Sequence, residues 1–306
     1  MPLKRYKEFR RLSNGHSRGI TAVSFSPAGT FVATGGLDGR VCIWRLVDGK
    51  LLHTYSGQNA ILSLKWLPLR EDAVLCGSQD GNIIVLTITA HAIVVRGFWA
   101  HKFPVECLAI DDSYVASGAH REVAIWQWSD KYCRFYRKKD LPEPPTSSHD
   151  QHREVLVTSL HWTMASATTL SMLMVSYMYH SIHLFETKTW GRVRTIPLNL
   201  QIGSASLSDN GEYIAISNMV SGFDVYAMAT EAPYCSFEHD LGEPYPTPVL
   251  FVHGGKAIVG GSAVGKVDLW DLRLTRKMHT LSIPSMCATS SNLRGISCGI
   301  QSAVKF

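Results

Sequence analysis

The residues best equipped for chemistry in the first fifty positions are Thr34, His16 and Asp38, a hydroxyl, an imidazole and a carboxylate in one short stretch. Brought together, such groups make a nucleophile, a base and an orienting acid, the set that performs acyl transfer. The local sequence argues against that use. Thr34 falls in Phe31-Val32-Ala33-Thr34, an apolar run that reads as a strand, and a strand hydroxyl facing an aromatic ring is badly placed to attack a substrate. No G-x-S-x-G elbow, P-loop or H-E-x-x-H pattern occurs, and no pair of carboxylates recurs at one spacing. His101 and His120 invite a metal reading, yet no third ligand accompanies them at a workable spacing. The cysteines (Cys42, Cys76, Cys107, Cys133, Cys235, Cys287 and Cys298) contain no C-x-x-C pair and read as small buried apolar residues of a reducing compartment. No catalytic residue, metal or cofactor is expected, and the chain is not read as an enzyme.

The elements that hold these residues are short strands. Ile20, Val23 and Phe25 mark one strand, and Ser26-Pro27-Ala28-Gly29 is a turn. Phe31 to Thr34 is a second strand, Gly36-Leu37-Asp38-Gly39 a hairpin turn, and Val41-Cys42-Ile43-Trp44 a third. The unit recurs. Leu86, Trp126, Phe185, Tyr226 and Trp270 each end a similar run, at steps of roughly 40 residues apart from the longer step from Trp126 to Phe185.

On Gly15-His16, Asp38 before Trp44, Trp270-Asp271 and this repeated spacing, the chain resembles the WD-repeat β-propellers over nearly its whole length. The resemblance implies an all-β fold of four-stranded antiparallel blades. It also implies a buried network of His16, Thr34, Asp38 and Trp44, repeated in part by His101, Ser117 and Trp126. Such groups are costly to bury alone and cheap when bonded to one another. The blades fall at about 16–56, 58–97, 101–139, 154–197, 201–240, 247–282 and 284–306, with an exposed Pro-, Ser- and His-rich loop at 140–153. Residues 287–306 align without gaps to 107–126 and stop at the end of a third strand, while 4–13 match the outer-strand pattern. The expectation is therefore one domain of seven blades, closed by residues 4–13 completing the last blade. The other reading is a chain that continues beyond Phe306.

The resemblance implies a non-catalytic scaffold for other proteins or peptides. In such a disc the loops leading into first strands, and the turns joining second to third strands, line one face. The candidates there are Arg18, Leu37, Asn59, Gln79, Phe103, Met178 and Met219, among them the large apolar and Arg types that dominate interfaces. Trp270-Asp271-Leu272-Arg273 resembles the motif of substrate receptors in cullin-type ubiquitin ligases, with Arg273 as the contact to an adaptor. A third reading is nucleic-acid binding through basic residues of 4–11 and the basic, aromatic stretch 131–139, although 131–139 also fits an outer strand whose alternate aromatics face the next blade.

The formal net charge of +5 selects no partner by itself. The basic N-terminus lacks the apolar core of a secretory signal, and Leu170 to Phe185 is too short to span a bilayer and contains Ser176, His180 and His183. No membrane association is expected, and the location is cytoplasmic or nuclear.

Overall fold

Each turn marked in the sequence returns the chain onto the strand before it. Ser26 N–H donates to Phe31 C=O at 2.9 Å across the Pro-Ala-Gly turn, and Gly39 N–H donates to Gly36 C=O at 3.1 Å across the Asp-Gly turn. The computed structural model describes residues 6, 9–129, 131–132, 134–145, 152–164, 171–240 and 245–282. Blade one comprises Ile20–Phe25 (β1), Phe31–Gly36 (β2), Arg40–Arg45 (β3) and Lys50–Ser56 (β4). Blade two comprises Ile61–Trp66 (β5), Ala73–Ser78 (β6), Asn82–Ile88 (β7) and Ile93–Trp99 (β8). Blade three comprises Cys107–Ile110 (β9), Tyr114–Ala119 (β10), Glu122–Ser129 (β11) and Arg134–Asp140 (β12). Blade four comprises Val157–Met164 (β13), Ser171–Tyr177 (β14), Ile182–Glu186 (β15) and Arg192–Ile196 (β16). Blade five comprises Ser204–Leu207 (β17), Tyr213–Ser217 (β18), Gly222–Ala227 (β19) and Pro233–Glu238 (β20). Blade six comprises Val249–Val252 (β21), Ala257–Gly261 (β22), Lys266–Asp271 (β23) and Arg276–Ser282 (β24). Within each blade, consecutive strands are neighbours and the first strand is innermost.

Among the described residues the propeller thus has six blades, not the seven expected. The segment at 4–13 is no outer strand in its described residues. Tyr6 bonds His253 and packs on His279 of blade six, while Arg10 donates to the carbonyls of Val47 and Asp48 at 2.9 and 3.0 Å in blade one. Leu12 packs beside Trp44 and Leu51. Charge alternating with few apolar residues suits docking by side chains as well as it suits an edge strand. Residues 284–306, the expected seventh blade, lie outside the described residues.

The core lies between blades. Ile43 and Val41 meet Ile61, Leu64 and Leu86 between blades one and two, and Val175 and Phe185 share a cluster with Ile125 between three and four. Phe223 and Phe237 meet Trp270 between five and six. Side chains also latch inner strands to the next blade: Thr21 donates to Ile61 C=O, Ser63 to Val105 C=O at 2.8 Å, and His161 Nε2–H to Ala205 C=O at 2.8 Å. Cys42, Cys76 and Cys107 are buried, whereas Cys133, Cys287 and Cys298 fall outside the described residues.

His161 shares the axial channel with Lys65. Burial, and then the Lys65 charge, hold the imidazole down to about 4. A group whose folded pKa is depressed contributes stability above its unfolded pKa and loses it as pH falls through the folded value. Between pH 6.5 and 4 the unfolding free energy should therefore drop by on the order of 2 kcal/mol through this residue. A urea-denaturation series will check this; an equal slope in His161→Gln would refute it.

Candidate protein-binding face

The predicted network of blade one is present. His16 Nδ1–H donates to Asp38 Oδ1 at 3.0 Å, and Thr34 Oγ1–H donates to His16 Nε2 at 2.8 Å. Trp44 Nε1–H donates to Thr34 Oγ1 at 3.0 Å. The other Asp38 oxygen accepts Ser17 N–H at 2.8 Å. Burial opposes ionisation of Asp38, but the His16 bond and the Ser17 and Arg40 amides outweigh it and hold the carboxyl below its ordinary value. The order hydroxyl–imidazole–carboxylate is that of a hydrolase. Here the hydroxyl is buried and its lone pair is taken by an indole N–H, so no substrate reaches it.

Blade three repeats the network with one exchange. His101 Nε2 accepts Ser117 Oγ–H at 2.7 Å, and Trp126 Nε1–H donates to Ser117 Oγ at 2.7 Å. The acid is Glu122, at 3.0 Å from His101 Nδ1, a residue that the repeat spacing does not mark. Its hairpin is one residue short, so the carboxylate comes from the first residue of β11. Burial lowers the His101 pKa despite Glu122.

Blade two lacks the histidine, and Asn59 Nδ2–H ties the lead-in loop to Asp80 at 2.9 Å instead. Blade six has Val264 in the turn and moves the carboxylate onto β23: Asp268 Oδ2 takes His239 Nδ1–H at 3.0 Å and Lys277 Nζ–H at 2.6 Å. The hydroxyl position is Gly260, where a Cβ would lie 2.3 Å from the Phe223 ring. An aromatic ring from blade five fills that space, and His239 Nε2 is left buried without a bond among the described residues.

In blades one, two, three and six these bonds fix the same end of the blade. Leu37 N–H donates to Gly19 C=O at 2.8 Å, Gln79 N–H to Ala60 C=O at 2.9 Å, and Met178 N–H to Leu156 C=O at 2.8 Å. Each second-to-third turn thus sits against its own lead-in loop, and the seven candidates share this face. Arg18, Asn59 and Gln79 are exposed there, and Leu37, Phe103 and Met178 are half-buried. Phe103 stacks on His120 at 4.6 Å. Met219 is 9 % exposed and faces Gly203, and its neighbour Val220, at 83 %, is the outward residue of that turn. Arg273 lies on the opposite face, in the turn between β23 and β24, where Asp271 Oδ1 accepts Leu274 N–H at 2.8 Å. No helix among the described residues is long and apolar enough to cross a membrane.

Comparison with known proteins agrees with this geometry. A family profile described as WD domain, G-beta repeat matches residues 7–45. Over 213 residues, 60% of the chain, the sequence is 25% identical to the Periodic tryptophan protein 2 homolog of Dictyostelium discoideum, covering 23% of that protein. Over 79 residues, 25% of the chain, it is 34% identical to the ribosome biogenesis protein erb1 of Botryotinia fuckeliana, covering 10% of it. Over 87 residues, 28% of the chain, it is 31% identical to the small ribosomal subunit protein RACK1 of Medicago sativa, covering 26% of it. The chain therefore spans only a tenth to about a quarter of the length of these relatives.

Proposed function

Because the chain belongs to the WD-repeat β-propeller family, a class of protein-binding scaffold, we propose that it is a non-catalytic platform whose lead-in-loop face docks a partner protein during ribosome assembly. The observation that carries the reading is the convergence of Arg18, Leu37, Phe103 and Met178 on that face, above hydroxyl–imidazole networks that are sealed from solvent. The names of the relatives supply the process, and cytoplasm or nucleus is the corresponding location.

Affinity capture followed by mass spectrometry tests it. Wild-type chain should retain ribosomal or assembly proteins, and Phe103→Ala with Arg18→Glu should reduce them about five- to thirtyfold, as loss of interface anchors does. An unchanged set of captured proteins would place the contact elsewhere. A second reading uses the opposite face. Asp271 shapes the turn that carries the exposed Arg273, so the same capture with Arg273→Ala should lose a ligase adaptor if that motif is active. Retention of the adaptor, or its absence from both baits, removes the reading.

A further inference from the structure

Strand β12 is the free edge of blade three and carries an unusual surface. Between 131 and 140 the sequence has Lys131, Arg134, Arg137, Lys138 and Lys139 against one carboxylate, Asp140. That carboxylate is already engaged by Arg137 at 2.8 Å. Lys131, Arg134, Lys138 and Lys139 form no ion pair with a described residue. Tyr132 is 60 % exposed, with Lys131 Nζ and the Arg134 guanidinium 5.1 and 5.5 Å from its ring centre. Strand alternation puts Arg134 and Tyr136 on one side, about 6.6 Å apart, and Tyr136 is held there by Gln127 at 2.5 Å; the exposed Lys138 is the extra residue of the bulge opposite Ile125 and Trp126. The other side is anchored: Phe135 packs on Trp128 and on Phe98 of blade two, and Arg137 donates to Ala100 C=O at 3.0 Å. The strand is therefore anchored to blade two by Phe135 and Arg137 and leaves basic and aromatic side chains exposed along the rim.

We propose that this rim binds single-stranded RNA. A row of cations without an ion pair among the described residues neutralises phosphates, and a ring flanked by cations gives a base a face to stack on. A purely acidic polypeptide would use the charges but leave Tyr132 and Tyr136 idle. The rim is separate from the lead-in-loop face, so its test does not depend on a partner docking there.

The test is fluorescence anisotropy of a labelled oligouridylate titrated with the full chain from about 50 to 200 mM KCl. Wild type should bind saturably, with affinity falling steeply as salt rises. Arg134→Gln with Lys138→Gln should weaken binding about tenfold and flatten the salt slope by about 1.4. Tyr132→Ala should weaken it at least about fivefold at every salt with the slope unchanged. The altered residues are exposed, and each variant's thermal melt should match wild type; Lys131→Gln with Lys139→Gln stands in for any charge variant that melts early. No saturable binding at low salt, wild-type affinity in the charge variants, or a silent Tyr132→Ala together with equal displacement by polyglutamate would overturn the proposal.

Discussion

Gly222→Ala lowers the unfolding free energy by roughly 3–5 kcal/mol, the largest loss expected from so small a change. Gly222 opens β19 at φ 141°, a conformation that L side chains rarely adopt. A Cβ there would lie 2.2 Å from Phe237 C=O and 2.9 Å from His239 N. Neither neighbour can yield cheaply. Phe237 is buried between blades five and six, and His239 is held by Asp268. Gly222 also contributes its N–H to Asn218 Oδ1 at 3.0 Å, as do Val220 and Ser221, so the turn cannot shift alone. Denaturant unfolding would measure the loss; a change below about 1 kcal/mol would show that the turn relaxes freely.

Asp38→Ala costs about 3 kcal/mol. It strands the His16 Nδ1–H and the Ser17 and Arg40 amides, all of which donate to one carboxylate whose side chain is 4 % exposed. Asp38→Asn should recover part of the loss, since its carbonyl oxygen still accepts. The pH signature separates this from simple loss of packing. The folded pKa is depressed, so the contribution is present above the unfolded value near 4 and disappears as pH falls through the folded one. Wild type and Asp38→Ala should converge in stability as acid is added. A constant gap down to the acid transition would mean that the charge is not what matters.

Blade one was legible in the sequence because every part of it sits where the repeat puts it: His16 before the first strand, Thr34 in the second, Asp38 in the turn, Trp44 in the third. Blade three was legible except for its acid. A one-residue deletion in the hairpin moved that role from the turn to Glu122, and only the sequence Ala-His-Arg-Glu hinted at it. Blade six was harder. A carboxylate two residues before Trp270 and a glycine in place of the hydroxyl look like decay of the motif. In three dimensions Asp268 still holds His239, and Phe223 from another blade supplies the missing volume. That exchange between blades has no signature in either repeat taken alone. Spacing records where strands could be, so it also offered a seventh blade at 284–306, beyond the six blades of the described residues. On the lead-in-loop face the repeat could not tell that Met219 faces inward while Val220 faces out.

The marker residue also shapes the outer edge. In five blades the pairing of third and fourth strands slips by one residue beside the marker: at Trp44, Trp126, Phe185, Tyr226 and Trp270. Blade two, whose marker is Leu86, pairs β7 with β8 without a slip from Asn82–Trp99 to Ile88–Ile93. A bulge bends and twists an edge away from docking with another edge. β8 has no such protection and exposes Val94, Val95 and Trp99. Its backbone is the straightest template on the rim for a strand from a second molecule, restrained mainly by Arg96 in the middle of it. At high concentration, self-association of this protein would begin at blade two.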